Sequence, residues 1–147
     1  MNELKIAEVP TRDEIERLET FMLQSEQVAI ETTHELSGGM YARTITIPAG
    51  VCVTGAAHKT DHLNVMFGDI TVWTEAGMKR LTGHHVIPTK AGAKRVGLAH
   101  SETKWTTVCR TELTDIEAIE AELVEAPDTL QTRSLKLCAD QLEKLEN

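Results

Sequence analysis

Apolar positions along the chain follow two different periods. Behind Thr11, the residues Ile15, Leu18 and Met22 recur at helical spacing and Glu14 completes a capping box, so a short helix with an acidic, solvated face is predicted there. From Gln27 to Glu112 the pattern turns into short alternating runs rich in β-branched residues. The runs QVAIETTH, YARTITI, VCVT, HLNVMF, DITVWTE, KRLTG, HHVIPT, RVGLAH and WTTVCRT are predicted as strands. Between them stand Gly38-Gly39, Pro48-Ala49-Gly50, Gly55, Gly68-Asp69, Ala76-Gly77, Gly83 and Ala91-Gly92, read as turns that start a new strand every ~8–12 residues. That interval leaves no room for crossover helices, which argues against a parallel α/β sheet and for an all-β sandwich or barrel.

Helical period returns after Glu112. Thr114 with Glu117 makes a second capping box, and Ile116, Ile119 and Leu123 form an apolar stripe that stops before Pro127. A last helix is predicted from about Thr129, with Leu135, Cys138, Leu142 and Leu145 on one face, suited to docking on the domain or to pairing with a second copy. The expected organisation is an N-terminal helical segment over 1–26, a β-domain over 27–112 and a C-terminal helical extension over 113–147.

Composition fits one domain, since 147 residues with 41% apolar content can bury a real core. No run approaches the roughly 20 apolar residues of a spanning helix, and the start MNELKIAEVP has no apolar signal region, so a soluble cytoplasmic protein without a membrane partner is expected. Cys52, Cys109 and Cys138 form no C-x-x-C pair and are read as buried free thiols. The formal charge of −8 is unevenly spread. Residues 1–26 carry seven acids and three bases, residues 112–147 ten acids and three bases, and the middle nine bases, six acids and all six histidines. An anionic ligand would therefore bind in the middle segment, whereas double-stranded nucleic acid finds no continuous basic stripe. G-x-S-x-G, P-loop, H-E-x-x-H and dinucleotide fingerprints are absent, so the matching hydrolase, NTPase, zincin and Rossmann readings have no support.

The most informative stretch is HKTDH, just ahead of the apolar run HLNVMF. On one straight strand His58 and His62 would stand roughly 13 Å apart, too far to share a ligand. Lys59-Thr60-Asp61 can supply a turn, so that His58 closes one strand and His62 opens the next. With Pro48-Ala49-Gly50 before it and the closing segment NVMFGDI after it, this region resembles the first motif of the cupin superfamily, small jelly-roll β-barrels, and the resemblance runs over about residues 34–112. Aligned to that motif, His58 takes the place of the second histidine of an H-x-H pair, Ala56 stands at the first, and Asp61 or His62 lies near the acidic ligand. In the second motif Ala91-Gly92 resembles the turn, Arg95 stands where a histidine is expected, and His100 follows five residues on. The resemblance implies a cupin-type jelly-roll barrel, often a homodimer, with a divalent metal (Zn, Fe, Mn or Ni) on His58, His62 and His100. The competing reading is a metal-free pocket in which Arg43, Lys59, Asp61 and Arg95 bind a small anionic or polar ligand, a nucleotide among the candidates. The strings HKTDH and AHSETKWTTV further resemble small cupin-like proteins of bacteriophages and prophages, a resemblance that implies no activity.

Single residues leave alternatives open. Tyr41 and Arg43 share a strand face with Ile45 and Ile47, so Arg43 is either an edge cation or, if that face lines the barrel, a buried one needing an anionic partner. His84 and His85 point to opposite faces and are read as surface residues, His34 as a turn residue, and Trp73 and Trp105 as core. Asp61 and Glu102 are the acids near the histidines that could act as a general base. Three functions follow: a ligand-binding barrel, a metal-dependent isomerase, epimerase or oxygenase acting on a sugar or small carboxylate, and a dimeric adaptor or virion component built on the C-terminal helix.

Overall fold

The first helix starts where its capping box places it. In the computed structural model, which describes residues 10–24, 26–74 and 76–125, α1 spans Arg12–Leu23, and Thr11 Oγ1 accepts from the Glu14 amide while its hydroxyl faces the Glu14 carboxylate. Ile15, 1% exposed, is the fully buried side chain of this helix. Seven strands follow: β1 (Glu31–Ser37), β2 (Met40–Ile47), β3 (Cys52–Thr54), β4 (His62–Thr74), β5 (Gly77–Thr89), β6 (Val96–Ala99) and β7 (Thr103–Arg110). They form one antiparallel sheet in the order β1-β2-β7-β4-β6-β3, with β5 paired on β4, curled into a half-barrel. α2 (Ile116–Leu123) completes the described elements, capped by the Asp115 carboxylate on the Ala118 amide at 3.0 Å.

Nine sequence runs become seven strands because two of the expected turns are not turns. HLNVMF and DITVWTE are one strand, β4, and KRLTG and HHVIPT are one strand, β5. Gly68 is a corner inside β4: the strand pairs with β7 up to Phe67 and with β6 from Ile70. At Gly68 φ is +147°, and a Cβ there would meet Thr103 Oγ1 at 2.5 Å and Thr103 Cα at 2.7 Å, so the two strands cross at a spacing only glycine allows. Gly83 likewise sits inside β5 with φ +81°. At the other end of the expected range β1 begins at Glu31, leaving Gln27 to Ile30 outside any strand. α2 starts after Asp115, which caps it in place of the expected Thr114, and the helix expected from Thr129 lies outside the described residues.

The concave face of the sheet is set by the register. Tyr41 pairs with Cys109; Arg43, Thr107 and Asn64 stand side by side across β2, β7 and β4; Ile45, Trp105 and Met66 form the next row. Ile47, Met66, Ile70, Val72, Leu81 and Ala99 make the main core, each full burial contributing roughly 1.5–3 kcal/mol for the larger side chains. The edge strands β1 and β3 do not pair with each other, and α1 packs by the β3 edge: its Glu19 carboxylate accepts from Thr54 Oγ1 at 2.6 Å and from the buried Lys94 ammonium at 2.9 Å. α2 closes one end, packing Ile119, Leu123 and the following Val124 on Tyr41 and Cys109. Backbone bonds from Lys59 to Leu123 (2.7 Å) and from Glu125 to Ala57 (3.0 Å) tie this cap to the histidine turn.

Candidate functional site

Curling the sheet around its concave face leaves a cavity of about 210 Å³. At the α2 end it is lined by Arg43, His58, His62, Asn64, Arg95 and Thr107, and deeper in the barrel by Ile45, Ile47, Val53, Ile70 and Val72. Asn64, 2% exposed, organises the polar end. Its Oδ1 accepts from Trp105 Nε1 (3.0 Å) and Thr107 Oγ1 (2.9 Å), and its Nδ2 donates to Thr89 Oγ1 at 2.7 Å. The same Thr89 oxygen accepts from Arg95 Nη2 at 2.9 Å, and the Arg95 guanidinium lies over the Trp105 indole, 5.7 Å from its centroid. Amide, indole and guanidinium are thereby locked in one network.

Arg43 is held differently. Its guanidinium is largely buried, its Nε–H has no hydrogen-bond partner, and burial pulls its pKa down while Tyr41 and Glu120 pull it up. An unpaired buried donor of this kind costs about 1–3 kcal/mol. The sequence left Arg43 between an edge and an interior position, and the structure puts it in the interior.

The turn through Lys59 to Asp61 brings the His58 and His62 rings to 4.3 Å between centroids. Each Nδ1 faces a backbone carbonyl, Ala56 O at 3.2 Å and Thr60 O at 2.9 Å. A carbonyl only accepts, so each ring carries a proton on Nδ1 and turns its Nε2 away from that carbonyl. His58 is pushed down to about 4, first by burial, then by His62, with Arg43 and Arg95 adding to the same effect. It is therefore neutral near pH 7, and it registers both arginines at once.

Other expected site residues are elsewhere. Lys59 donates its ammonium to the Ala121 carbonyl at 3.0 Å, at the C-terminal end of α2 and outside the cavity. Asp61 is exposed, accepting from the Ala91 amide at 2.8 Å and from Lys90 at 3.4 Å. His100 is exposed and its Nε2 lies 2.6 Å from Thr71 Oγ1, on the sheet face opposite Ile70 and Val72. Glu102 and His84 are exposed, and His85 Nε2 donates to the Thr82 carbonyl at 2.9 Å. Trp105 lines the cavity and Trp73 does not. His34 stacks on Tyr41, 5.8 Å between centroids. Cys52 and Cys109 are free thiols, both raised by burial, Cys109 to about 11. Sequence reasoning missed Asn64, Thr89, Thr107 and Glu120. Glu120 carried a signal: it falls four residues after Ile116, on the apolar stripe of α2, where a charge is out of place.

The metal implied by the cupin resemblance can be tested against these donors. His58 and His62 supply two imidazoles, and among the described residues no group of three or more His, Cys, Asp or Glu side chains converges to hold an ion. Protein zinc centres use at least three protein ligands, and here two guanidiniums add positive potential at His58. The described residues do not fit a resident divalent metal.

Neither a protein-family model nor a curated protein matches this sequence. Among solved structures the chain is similar to an ectoine synthase from P. lautus, with a TM-score of 0.50 and 18% identity over 67% of this chain and 75% of that one. It also aligns with KdgF from Halomonas sp. (TM-score 0.49, 13% identity, 61% and 87% covered) and with a cupin superfamily protein from Desulfitobacterium hafniense (TM-score 0.48, 11% identity, 74% and 100% covered). At such identities the likeness is one of fold.

Proposed function

We propose that the barrel binds a small organic anion, with Arg43 as its main charge partner and Arg95 as the second. The observation that carries this reading is the buried Arg43 Nε–H without a partner, inside a cavity. An incoming carboxylate supplies the acceptor that the fold withholds, and a guanidinium fork takes it with two parallel bonds in a low-dielectric space. Arg95 cannot swing freely, because Thr89 and Trp105 fix it, so it presents a preset charge rather than an adaptable one. The neutral His58 offers its Nε2 as an acceptor to a donor on the ligand, with the His62 ring beside it. A cavity of about 150 Å³ takes benzene, so one of about 210 Å³ encloses a ligand of similar scale, smaller than a nucleotide.

A metal-dependent reaction on the same ligand would need a third donor brought by the ligand itself, so the binding reading stands ahead of the enzyme reading. The homodimer expected from the sequence belongs to the same proposal and is read by sedimentation; the phage-type setting rests on the strings HKTDH and AHSETKWTTV. Calorimetric titration with a panel of small carboxylates tests the site. Arg43→Gln should weaken the best ligand about 30-fold or more, as loss of a charged hydrogen bond in a buried site does. Lys59→Gln and Asp61→Asn should leave the affinity within about twofold, as expected of residues that do not touch the ligand. Unchanged binding in Arg43→Gln would remove the proposal.

A further inference from the structure

The polar row of the cavity forms a band beside the α2 cap, where Ile119, Leu123 and Val124 pack on Tyr41 and Cys109 and close that end, and the wall beyond the band is apolar; this arrangement selects among anions. Register fixes the order: the row Arg43, Thr107, Asn64 lies toward α2, and the row Ile45, Trp105, Met66 lies one step deeper. Beyond it Ile47, Ile70, Val72 and Val53 line the wall, and none of these side chains can donate or accept a hydrogen bond. Thr103, in the row of Ile47, is fully buried, and its hydroxyl is already engaged with Asp69 and Ser101. Asn64, in the polar row, spends its Oδ1 on Trp105 and Thr107 and one Nδ2 hydrogen on Thr89. The unmet polar capacity recorded above, the Arg43 Nε–H and the His58 Nε2, thus lies toward the α2 side.

We infer that the ligand is a short amphiphilic monocarboxylate, its carboxylate at Arg43 and Arg95 and its hydrocarbon tail pointing away from α2 against Ile45, Ile47, Ile70 and Val72. The inference rests on the anion reading and adds an orientation to it. A polyhydroxylated acid of the same length would strand its hydroxyls against the isoleucines, and burying unpaired hydroxyls is costly. A cavity of about 150 Å³ takes benzene, six carbons, so by proportion one of about 210 Å³ takes a straight-chain acid of about hexanoate size.

The test is calorimetric titration of the full chain with acetate, butanoate, hexanoate and octanoate, alongside hexanol, gluconate and inorganic phosphate. Affinity should rise about threefold to fourfold per added methylene up to about six carbons and then fall. Hexanol, without the charge, and gluconate, with hydroxyls in place of the tail, should each bind at least about 30-fold more weakly than hexanoate. Val72→Phe should move the optimum to shorter acids, and Ile45→Ala, which opens the same end, should move it to longer ones. A flat chain-length series, or gluconate or phosphate binding as tightly as hexanoate, would overturn the tail while leaving the anion site standing. If no anion binds, and Arg43→Gln behaves as the wild type throughout, both ideas fall together.

Discussion

His58 is a buried base that the fold keeps neutral. Its folded pKa of about 4 lies below the ordinary value of 6.5, so the unfolded chain takes up the proton first as pH falls. Its contribution to stability is complete above pH 6.5, is lost as pH drops from 6.5 toward 4, and does not change further below that, where both states are protonated. The loss should be on the order of 2–3 kcal/mol. Urea unfolding between pH 7 and 4.5 reads it, and His58→Gln should flatten that part of the profile; an unchanged slope in the variant would assign the effect to another group. Asn64 is the second residue whose removal has a computable cost. Asn64→Leu leaves Trp105 Nε1–H, Thr107 and Thr89 short of a partner and should cost about 2–4 kcal/mol in chemical denaturation. A cost near the ±0.5 kcal/mol of a surface change would mean that water takes over its role. The histidine pair was legible because a turn is a local property. His100 was not, and the reason is parity: Gly97 and Ala99 pair with the inward Val72 and Ile70, so Leu98 and His100 face the other way. Lys59 and Asp61 went astray because their partners, Ala121 and Ala91, are distant in sequence.

At the level of elements, sequence pattern located every described strand and both described helices to within a few residues, since period and capping are written in neighbouring residues. What it misread was glycine. Gly68 and Gly83 look like the glycines of turns, yet they lie inside β4 and β5, because a strand that changes partner needs a bend and the change of partner is a nonlocal fact. Gly68→Ala should therefore act as a lesion of the whole sheet rather than of a loop. Both its φ of +147° and its close approach to the Thr103 backbone are closed to alanine, for an expected loss of about 2–4 kcal/mol by thermal or chemical unfolding. Gly50, whose Cβ would meet nothing within 4 Å, shares the positive φ without the crowding, so its alanine variant should lose less. Equal losses at the two positions would show that backbone conformation alone matters.

For the molecule as a whole, acidic segments flank a middle segment of which two arginines, Arg43 and Arg95, line the cavity. Among the described residues no helix is long and apolar enough to cross a membrane. The donor set argues for a barrel that does not hold a metal of its own. Mass-spectrometric metal analysis after dialysis against zinc, iron, manganese or nickel should therefore find well under one ion per chain, unchanged in His58→Ala. Near-stoichiometric metal, lost in both His58→Ala and His62→Ala, would reinstate a histidine-bound centre and with it the enzyme reading.

The pairing of β2 with β7 joins residues far apart in the chain, Tyr41 to Cys109 and Ile47 to Thr103. Contact order is accordingly high, and folding belongs to the slow regime of nonlocal β-topologies, roughly milliseconds to seconds. On the ribosome β2 has only β1 as a hairpin partner until β7 emerges, and during that interval Arg43 and the isoleucines beside it are open to solvent. The nascent barrel thus exposes the face that will line its cavity before it can enclose anything, so that face is the last part of the protein to leave water.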